Sequence, residues 1–152
     1  MIVNRRTVLV TGSSRGIGRA VSDRLAEEGW TVIEPQRNDL DLSSPQSVEA
    51  FLTELGTAID GLVLNAGVNR PEPLGEMSAD AWSAIQQVNL VSSFALVSAL
   101  APRMAERRFG RIVAVSSAYA SRARRGRAAY SSSKAGLESL VRTFAVEFAD
   151  KS

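Results

Sequence analysis

Apolar and polar positions along this chain follow two rhythms that alternate with each other. Val8, Leu9 and Val10 form a short continuous apolar run ending at Gly12, the pattern of a strand covered on both faces. Ile17, Val21 and Leu25 then keep helical spacing, with Gly29 placed to end that helix. A second strand is predicted at Trp30-Thr31-Val32-Ile33. Ser44-Pro45 predicts a helix start, serine as N-cap and proline in the first turn. Val48, Phe51, Leu52 and Leu55 supply its apolar face, and Gly56 closes it. Gly61 to Leu64 is the next buried strand, running into Asn65-Ala66-Gly67. A polar loop with Pro71 and Pro73 leads to Ser78, the predicted N-cap of a long helix through Trp82, Ile85 and Val88, which Pro102 is expected to kink or interrupt. A strand is predicted from Arg111 to Val115, and a last helix beginning near Tyr130 carries Leu137, Leu140, Val141, Phe144 and Phe148 on one stripe.

Strands alternating with helical patterns predict an α/β fold with a doubly wound, mostly parallel sheet. With no internal repeat and no low-complexity linker, residues 1–152 are expected to form a single domain. Two features are irregular. The stretch from Ile33 to Asp41 is too short for the dozen or so residues of a parallel crossover. A third strand at Asp39–Leu42 is therefore expected to be a stub beside the second. The chain also closes on a helix, so the strand from Arg111 is expected to be an exposed sheet edge.

Composition narrows the chemistry. Hydrophobic residues make up 45% and charged residues 22%, which argues against wholesale disorder. The absence of cysteine and histidine removes disulfides, thiolate metal sites and every histidine-dependent triad, and no metal is expected. No apolar stretch approaches the roughly 20 residues of a membrane span, and no signal-peptide layout precedes the first strand, so a cytoplasmic protein without membrane contact is expected. The net charge is +2, too small for a global nucleic-acid-binding field. Lys134 and Lys151 are the only lysines. The one local concentration of charge, Arg122, Arg124, Arg125 and Arg127, reads as a solvated loop or as a meeting point for an acidic partner.

Between the first strand and the first helix lies Thr11-Gly12-Ser13-Ser14-Arg15-Gly16-Ile17-Gly18. Glycines in that setting allow a tight turn, close backbone approach to a phosphate, and close packing of helix on strand. The helix N-terminus behind them offers free N–H groups to an anion. The end of the second strand should face an adenosine ribose, where an acidic residue selects the 2′-hydroxyl of NAD(H) and an arginine the 2′-phosphate of NADP(H). Arg37 and Arg15 could jointly neutralise that phosphate, whereas Glu34 sits too early to reach the ribose, so NADP(H) is expected over NAD(H). Tyr130 and Lys134 are four apart, on one face of a helix, and an ammonium one turn away stabilises a phenolate. That would give a protein without histidine a usable acid or base.

TGSSRGIG, NAG, the Asn89 segment VNL, IVAVSS and YSSSK occur in order at spacings that resemble the short-chain dehydrogenase/reductase family over nearly the whole chain. The resemblance implies a Rossmann-like fold and hydride transfer between a nicotinamide and a carbonyl or alcohol carbon. It implies Tyr130 as general acid/base, Lys134 as the group that activates it and holds the nicotinamide ribose, Ser117 as the residue orienting the carbonyl, and Asn89 as anchor of a water-mediated proton relay. Ser116 is the rival serine, but its spacing to the tyrosine is one residue too long. For the cofactor, the resemblance implies Gly12, Ser14, Arg15, Gly16, Ile17 and Gly18 around the phosphates, and Arg37 near the 2′-phosphate. Asp41 and Leu42 would contact the adenine, and Asn65, Ala66 and Gly67 would pass beside the adenosine ribose.

The family continues past the tyrosine helix into a further strand, a Pro-Gly turn and a substrate-covering loop, for which no counterpart follows Ser152. The short connection between strands two and three resembles members that lack a helix there. Two readings stand: a cytoplasmic NADPH-dependent carbonyl reductase, closest to 3-oxoacyl carrier-protein reductases, or a non-catalytic nucleotide-binding or assembly module of the same ancestry. Family members assemble through the two long helices, so dimers or tetramers are expected. Arg107, Arg108 and Arg111, with the Arg122–Arg127 loop, would suit an anionic or carrier-linked substrate.

Overall fold

The computed structural model describes residues 5–151. Met1–Asn4, expected to run straight into the first strand, lie outside the described residues, as does Ser152. Four parallel strands, β1 (Thr7–Val10), β2 (Thr31–Ile33), β3 (Gly61–Leu64) and β4 (Arg111–Ala114), form a sheet in the order β2-β1-β3-β4. Around them lie α1 (Gly16–Glu27), α2 (Pro45–Glu54), α3 (Ala79–Gln86), α4 (Ser92–Glu106) and α5 (Ala128–Glu147). The α/β, Rossmann-like doubly wound architecture expected from the alternation is what the chain adopts.

The central strands are buried along their whole length because both faces are covered. Alternate side chains serve opposite layers. Val8, Val10 and Val63 meet Val21, Leu25 and Trp30 on the α1 side. Leu9, Leu62 and Leu64 pack with Val48, Leu96, Val97, Leu100 and Leu137 on the other. Each fully buried leucine contributes about 1.5–3 kcal/mol, so this second layer is the larger store of stability. Ser44 and Ser78 cap α2 and α3 as expected, accepting the N–H groups of Ser47 and Ala81 at 3.2 and 3.1 Å.

Several expectations are corrected. Asp39–Leu42 is not a strand. Its backbone is satisfied locally: the Gln36 carbonyl accepts the N–H groups of Asp39 and Leu40 at 2.9 Å, and Asp41 N–H donates to Ser47 Oγ at 2.9 Å. Leu40 drops into the core, which leaves nothing to pair with β2. Ile17, expected on the apolar stripe of α1, is 63% exposed, since the first turn of that helix overhangs the end of the sheet. β2 starts at Thr31 because Trp30 N–H donates to the Leu25 carbonyl. β4 stops at Ala114, one residue early, although Val115 N–H still donates to Leu64. The tyrosine helix begins near Tyr130 as expected, at Ala128.

α3 and α4 are parts of one helical run, joined by a π turn at Gln87–Val91, and Pro102 lies inside α4, which continues past it to Glu106. The whole run, Ala79–Glu106, is long and apolar enough by length and composition to cross a membrane. In this fold Leu96, Val97, Leu100 and Met104 are instead taken up by the core. β4 is the sheet edge expected from the sequence, with Val113 56% exposed and no further strand beside it among the described residues.

The turn from α4 into β4 places Arg108 at φ 54°, a left-handed conformation that favours glycine. Relief of the Cβ clash outweighs the extra unfolded-state freedom, so Arg108→Gly should raise stability by about 0.5–1 kcal/mol. The readout is a higher denaturant midpoint at unchanged slope.

Candidate active site

The chain passes from β1 outward to β2, then returns to the other side of β1 to form β3. The order of the sheet therefore reverses between β1 and β3, and a crevice opens past their carboxyl ends. Two loops meet there and are laced together. Thr11 Oγ1 donates to the Val63 carbonyl at 3.2 Å and accepts the N–H groups of Asn65 and Ala66, both at 3.1 Å. Asn65 Nδ2 donates to the carbonyls of Thr11 and Gly12 at 3.1 and 3.0 Å. The packing leaves no room for side chains. A Cβ on Gly12 (φ +68°) would stand 2.9 Å from Ala66 Cα, and one on Gly18 would collide with the Gly12 carbonyl and Asn65 Nδ2.

Gly16 (φ +59°) is different: a Cβ there would meet nothing within 4 Å, because it faces open space over the crevice. That space is the mouth of α1. Unlike α2 and α3, α1 has no side-chain cap, and its first turn carries no acidic residue, so its leading N–H groups remain available to an outside anion. Ser13 Oγ, 99% buried in the same turn, also lacks a hydrogen-bond partner among the described residues. A cleft of about 640 Å³ runs from here, lined by Gly12, Ser14, Arg15, Gly16 and Ile17, by Arg37, Asp41 and Leu42, and by Asn65, Ala66 and Gly67. Gly18 lies beneath its floor. Val88 of the VNL segment also lines it, as do Pro35, Gln36 and Val68, which no motif in the sequence singled out.

At the far end of the cleft, Arg37 Nε lies 3.5 Å from Asp41 Oδ2, an exposed pair worth about 0–1 kcal/mol and easily exchanged for another anion. The Asp41 carboxyl is held below its ordinary range, first by the Ser43 hydroxyl and N–H, at 2.6 and 2.9 Å, and then by Arg37. Glu34 is exposed and takes no part in the lining.

Gly67 links this cleft to a second cluster. A Cβ on Gly67 would sit 3.4 Å from both Lys134 Nζ and Asn89 Oδ1. Lys134 is 97% buried, donates to the Val115 carbonyl at 2.8 Å, and has its ammonium 6.0 Å from the Tyr130 ring centroid. Burial lowers its pKa. Asn89 stands in the π turn, a helical irregularity common at functional sites. It is fully buried, accepting Val68 N–H at 2.8 Å and donating to the Val68 carbonyl and Ser133 Oγ at 2.9 and 3.0 Å. Both amide hydrogens are thus committed to structure, and any relay at this position falls to the main chain.

Ser117 and Ser116 separate clearly. Ser116 Oγ donates to Glu138 Oε1 at 2.6 Å, while Ser117 Oγ accepts Tyr119 N–H at 3.2 Å, which leaves the Ser117 proton available to donate. Gln86 Nε2, not flagged by the sequence, donates to the Ala129 carbonyl and Ser132 Oγ at 2.9 and 3.0 Å, tying α3 to the turn of α5 that bears Tyr130.

The arginines do not form one group. Arg124 donates to the Tyr119 hydroxyl, and Arg124 and Arg127 lie 5.6 and 5.8 Å from the Tyr119 ring, beside Ser117. Arg107, Arg108 and Arg111 sit at the start of β4, a strand length of about 13 Å away at the opposite end of the sheet. Arg107 is occupied there with Asp60, and Arg111 with the Phe109 ring.

Comparison with known proteins places these features. The family model for short chain dehydrogenase matches residues 6–45 and 38–152. The chain belongs to that family. Among short-chain dehydrogenases and reductases it is 34% identical over 172 residues to 3-oxoacyl-(acyl-carrier-protein) reductase FabG of Vibrio cholerae, an alignment covering 99% of this chain and 70% of the relative. A short-chain dehydrogenase from Streptomyces avermitilis superposes with TM-score 0.92 at 27% identity, covering 99% of this chain and 63% of that one. 4-Hydroxyisoleucine dehydrogenase complexed with NADH gives 0.91 at 28%, covering 97% and 71%. The chain therefore spans about two-thirds of the length of these short-chain dehydrogenases.

The buried lysine gives a signed pH dependence. Its folded pKa lies below the ordinary 10.5, so between the two values the unfolded chain binds more protons and stability rises with pH. Lys134→Met removes that term. Denaturant titrations of both proteins should show the stability difference moving in favour of the wild type as pH is raised toward 10.5.

Proposed function

We propose that this chain binds NADP(H) as a single unit and catalyses reversible reduction of a carbonyl to an alcohol. The observation that carries the reading is the position of Gly67, which lines the phosphate-receiving cleft and touches the space of the Lys134 ammonium. Gly67 thereby stands between a dinucleotide cradle and the Tyr130–Lys134 acid/base pair.

The residues present fit the cofactor. The uncapped N-terminus of α1, the orphan Ser13 hydroxyl and the empty side-chain space at Gly16 suit a pyrophosphate. Arg15 and Arg37 line the cleft where a 2′-phosphate would lie, and Glu34 does not, which supports NADP(H). The neighbour complexed with NADH keeps NAD(H) as the second reading. When bound, the nicotinamide supplies or accepts the hydride. Tyr130 delivers the proton to the carbonyl oxygen in reduction and removes it from the alcohol in oxidation. Lys134 stabilises the phenolate so formed. Ser117 donates its free proton to the carbonyl oxygen and orients it. Asn89 and Ser133 hold the π turn and the first turn of α5 in register.

The exposed Arg122, Arg124 and Arg125 beside Ser117 suit an anionic or carrier-linked substrate, the class to which the name of the Vibrio cholerae relative points. The exposed Val91 in the π turn, Phe94 on α4 and Val146 on α5 suit a homo-oligomer of a cytoplasmic enzyme.

Two measurements test this. NADPH fluorescence titration of the chain should saturate in the micromolar range, with NADH weaker. Tyr130→Phe should lower turnover about a hundredfold or more while leaving the NADPH affinity within about twofold. A folded chain that binds neither dinucleotide would refute the assignment. Saturable binding without turnover of any carbonyl would favour the nucleotide-binding module instead.

A further inference from the structure

α5 grips the segment that follows β4 at two successive points. Lys134 Nζ donates to the carbonyl of Val115, and one helical turn later Glu138 Oε1 accepts the hydroxyl of Ser116 at 2.6 Å. That distance is typical of a charge-assisted O–H···O⁻ bond, roughly twice as strong as a neutral one. On its outer side Glu138 meets Arg142, at 3.6 Å across an exposed turn, a contact worth little. The carboxylate is therefore held chiefly by Ser116.

Ser117 is next in the chain and has extended backbone, φ −152° and ψ 150°. In extended chain, consecutive side chains point to opposite sides. With Ser116 turned onto α5 and fixed there, Ser117 has to point away from Glu138. Its oxygen accepts Tyr119 N–H, and its proton stays free. The two adjacent hydroxyls are chemically equivalent, so which one faces a substrate is decided by this rotation. Without the carboxylate, a rotation of the segment would exchange them.

We infer that Glu138 is a positioning residue: by holding the Ser116 hydroxyl it sets the 115–117 segment in the orientation that presents Ser117 to the reacting carbonyl. The inference rests on the proposed roles of Ser117 and Tyr130, and its test separates the two.

Amide exchange measured by NMR on Glu138→Leu, Glu138→Gln and Ser116→Ala, with kinetics using NADPH and a short 3-oxoacyl thioester, supplies that test. In Glu138→Leu and Ser116→Ala, exchange of the Tyr119 amide should accelerate at least about tenfold as its bond to Ser117 loosens. In the same two variants kcat should fall about ten- to hundredfold, with the NADPH dissociation constant within about twofold of wild type. Glu138→Gln keeps an acceptor oxygen and should restore both readouts to within about threefold. Unchanged Tyr119 exchange in the first two variants, or a glutamine variant as impaired as the leucine one, overturns the inference. A wild-type chain that neither binds NADPH nor turns over would sink the proposed function, and the exchange comparison would still decide what Glu138 does.

Discussion

Thr11 ties the ends of the two central strands with one buried hydroxyl. It donates to β3 and accepts two N–H groups from the chain leaving β3, while Asn65 returns two bonds to the chain leaving β1. Thr11 is buried, where water cannot replace a lost partner, so an unmatched hydroxyl there would cost about 1–3 kcal/mol. The glycine turn depends on this lacing. Gly12 and Gly18 approach Asn65 and Ala66 more closely than any side chain allows, and only that approach turns the N-terminus of α1 toward the crevice. The cleft is therefore a consequence of how two parallel strands are joined at their ends, and the helix N–H groups are the currency it offers an anion.

The second cluster rests on burial. Lys134 is a cation enclosed by protein, donating to the Val115 carbonyl, with its charged form disfavoured by desolvation. Such a group is a liability to stability, and a fold keeps it where its chemistry is of use. The π turn at Asn89 has the same character. It interrupts a run of 28 residues that would otherwise be a uniform helix, and in doing so brings a buried amide to bridge the loop after Gly67 and the helix that bears Tyr130.

Sequence pattern resolved whatever depends on local periodicity. Buried runs such as Gly61–Leu64, caps such as Ser44 and Ser78, and the tyrosine–lysine spacing were legible because neighbours along the chain decide them. What stayed hidden depends on where elements end relative to one another. Periodicity alone puts Ile17 on the core stripe of α1, whereas the glycine-turn motif puts it around the phosphates. It lines the cleft because the first helical turn overhangs the sheet. Asp39–Leu42 has a strand-like alternation, yet the Gln36 carbonyl and Ser47 Oγ satisfy the N–H groups of Asp39, Leu40 and Asp41 before any strand can. Arg107, Arg108 and Arg111 are near the Arg122–Arg127 loop in sequence, but β4 separates them to opposite ends of the sheet. Gln86 and Glu138 act across elements, and no single-chain spacing announces such contacts.

α5 explains why core and chemistry cannot vary independently here. Leu137 is buried in the large core layer, with Val141 and Phe144 packed against it one and two turns on. Lys134, three residues before Leu137, and Glu138, immediately after it, flank that stripe on the same helix. Any rotation of α5 that relaxes the packing of Leu137 swings both polar groups off the chain beyond β4. A cavity at Leu137 would cost about 2–5 kcal/mol, and the helix can reduce that cost by shifting into the space. The shift that rescues stability is the one that misplaces the ammonium and the carboxylate. Packing on one side of the helix is thus an alignment constraint on the other.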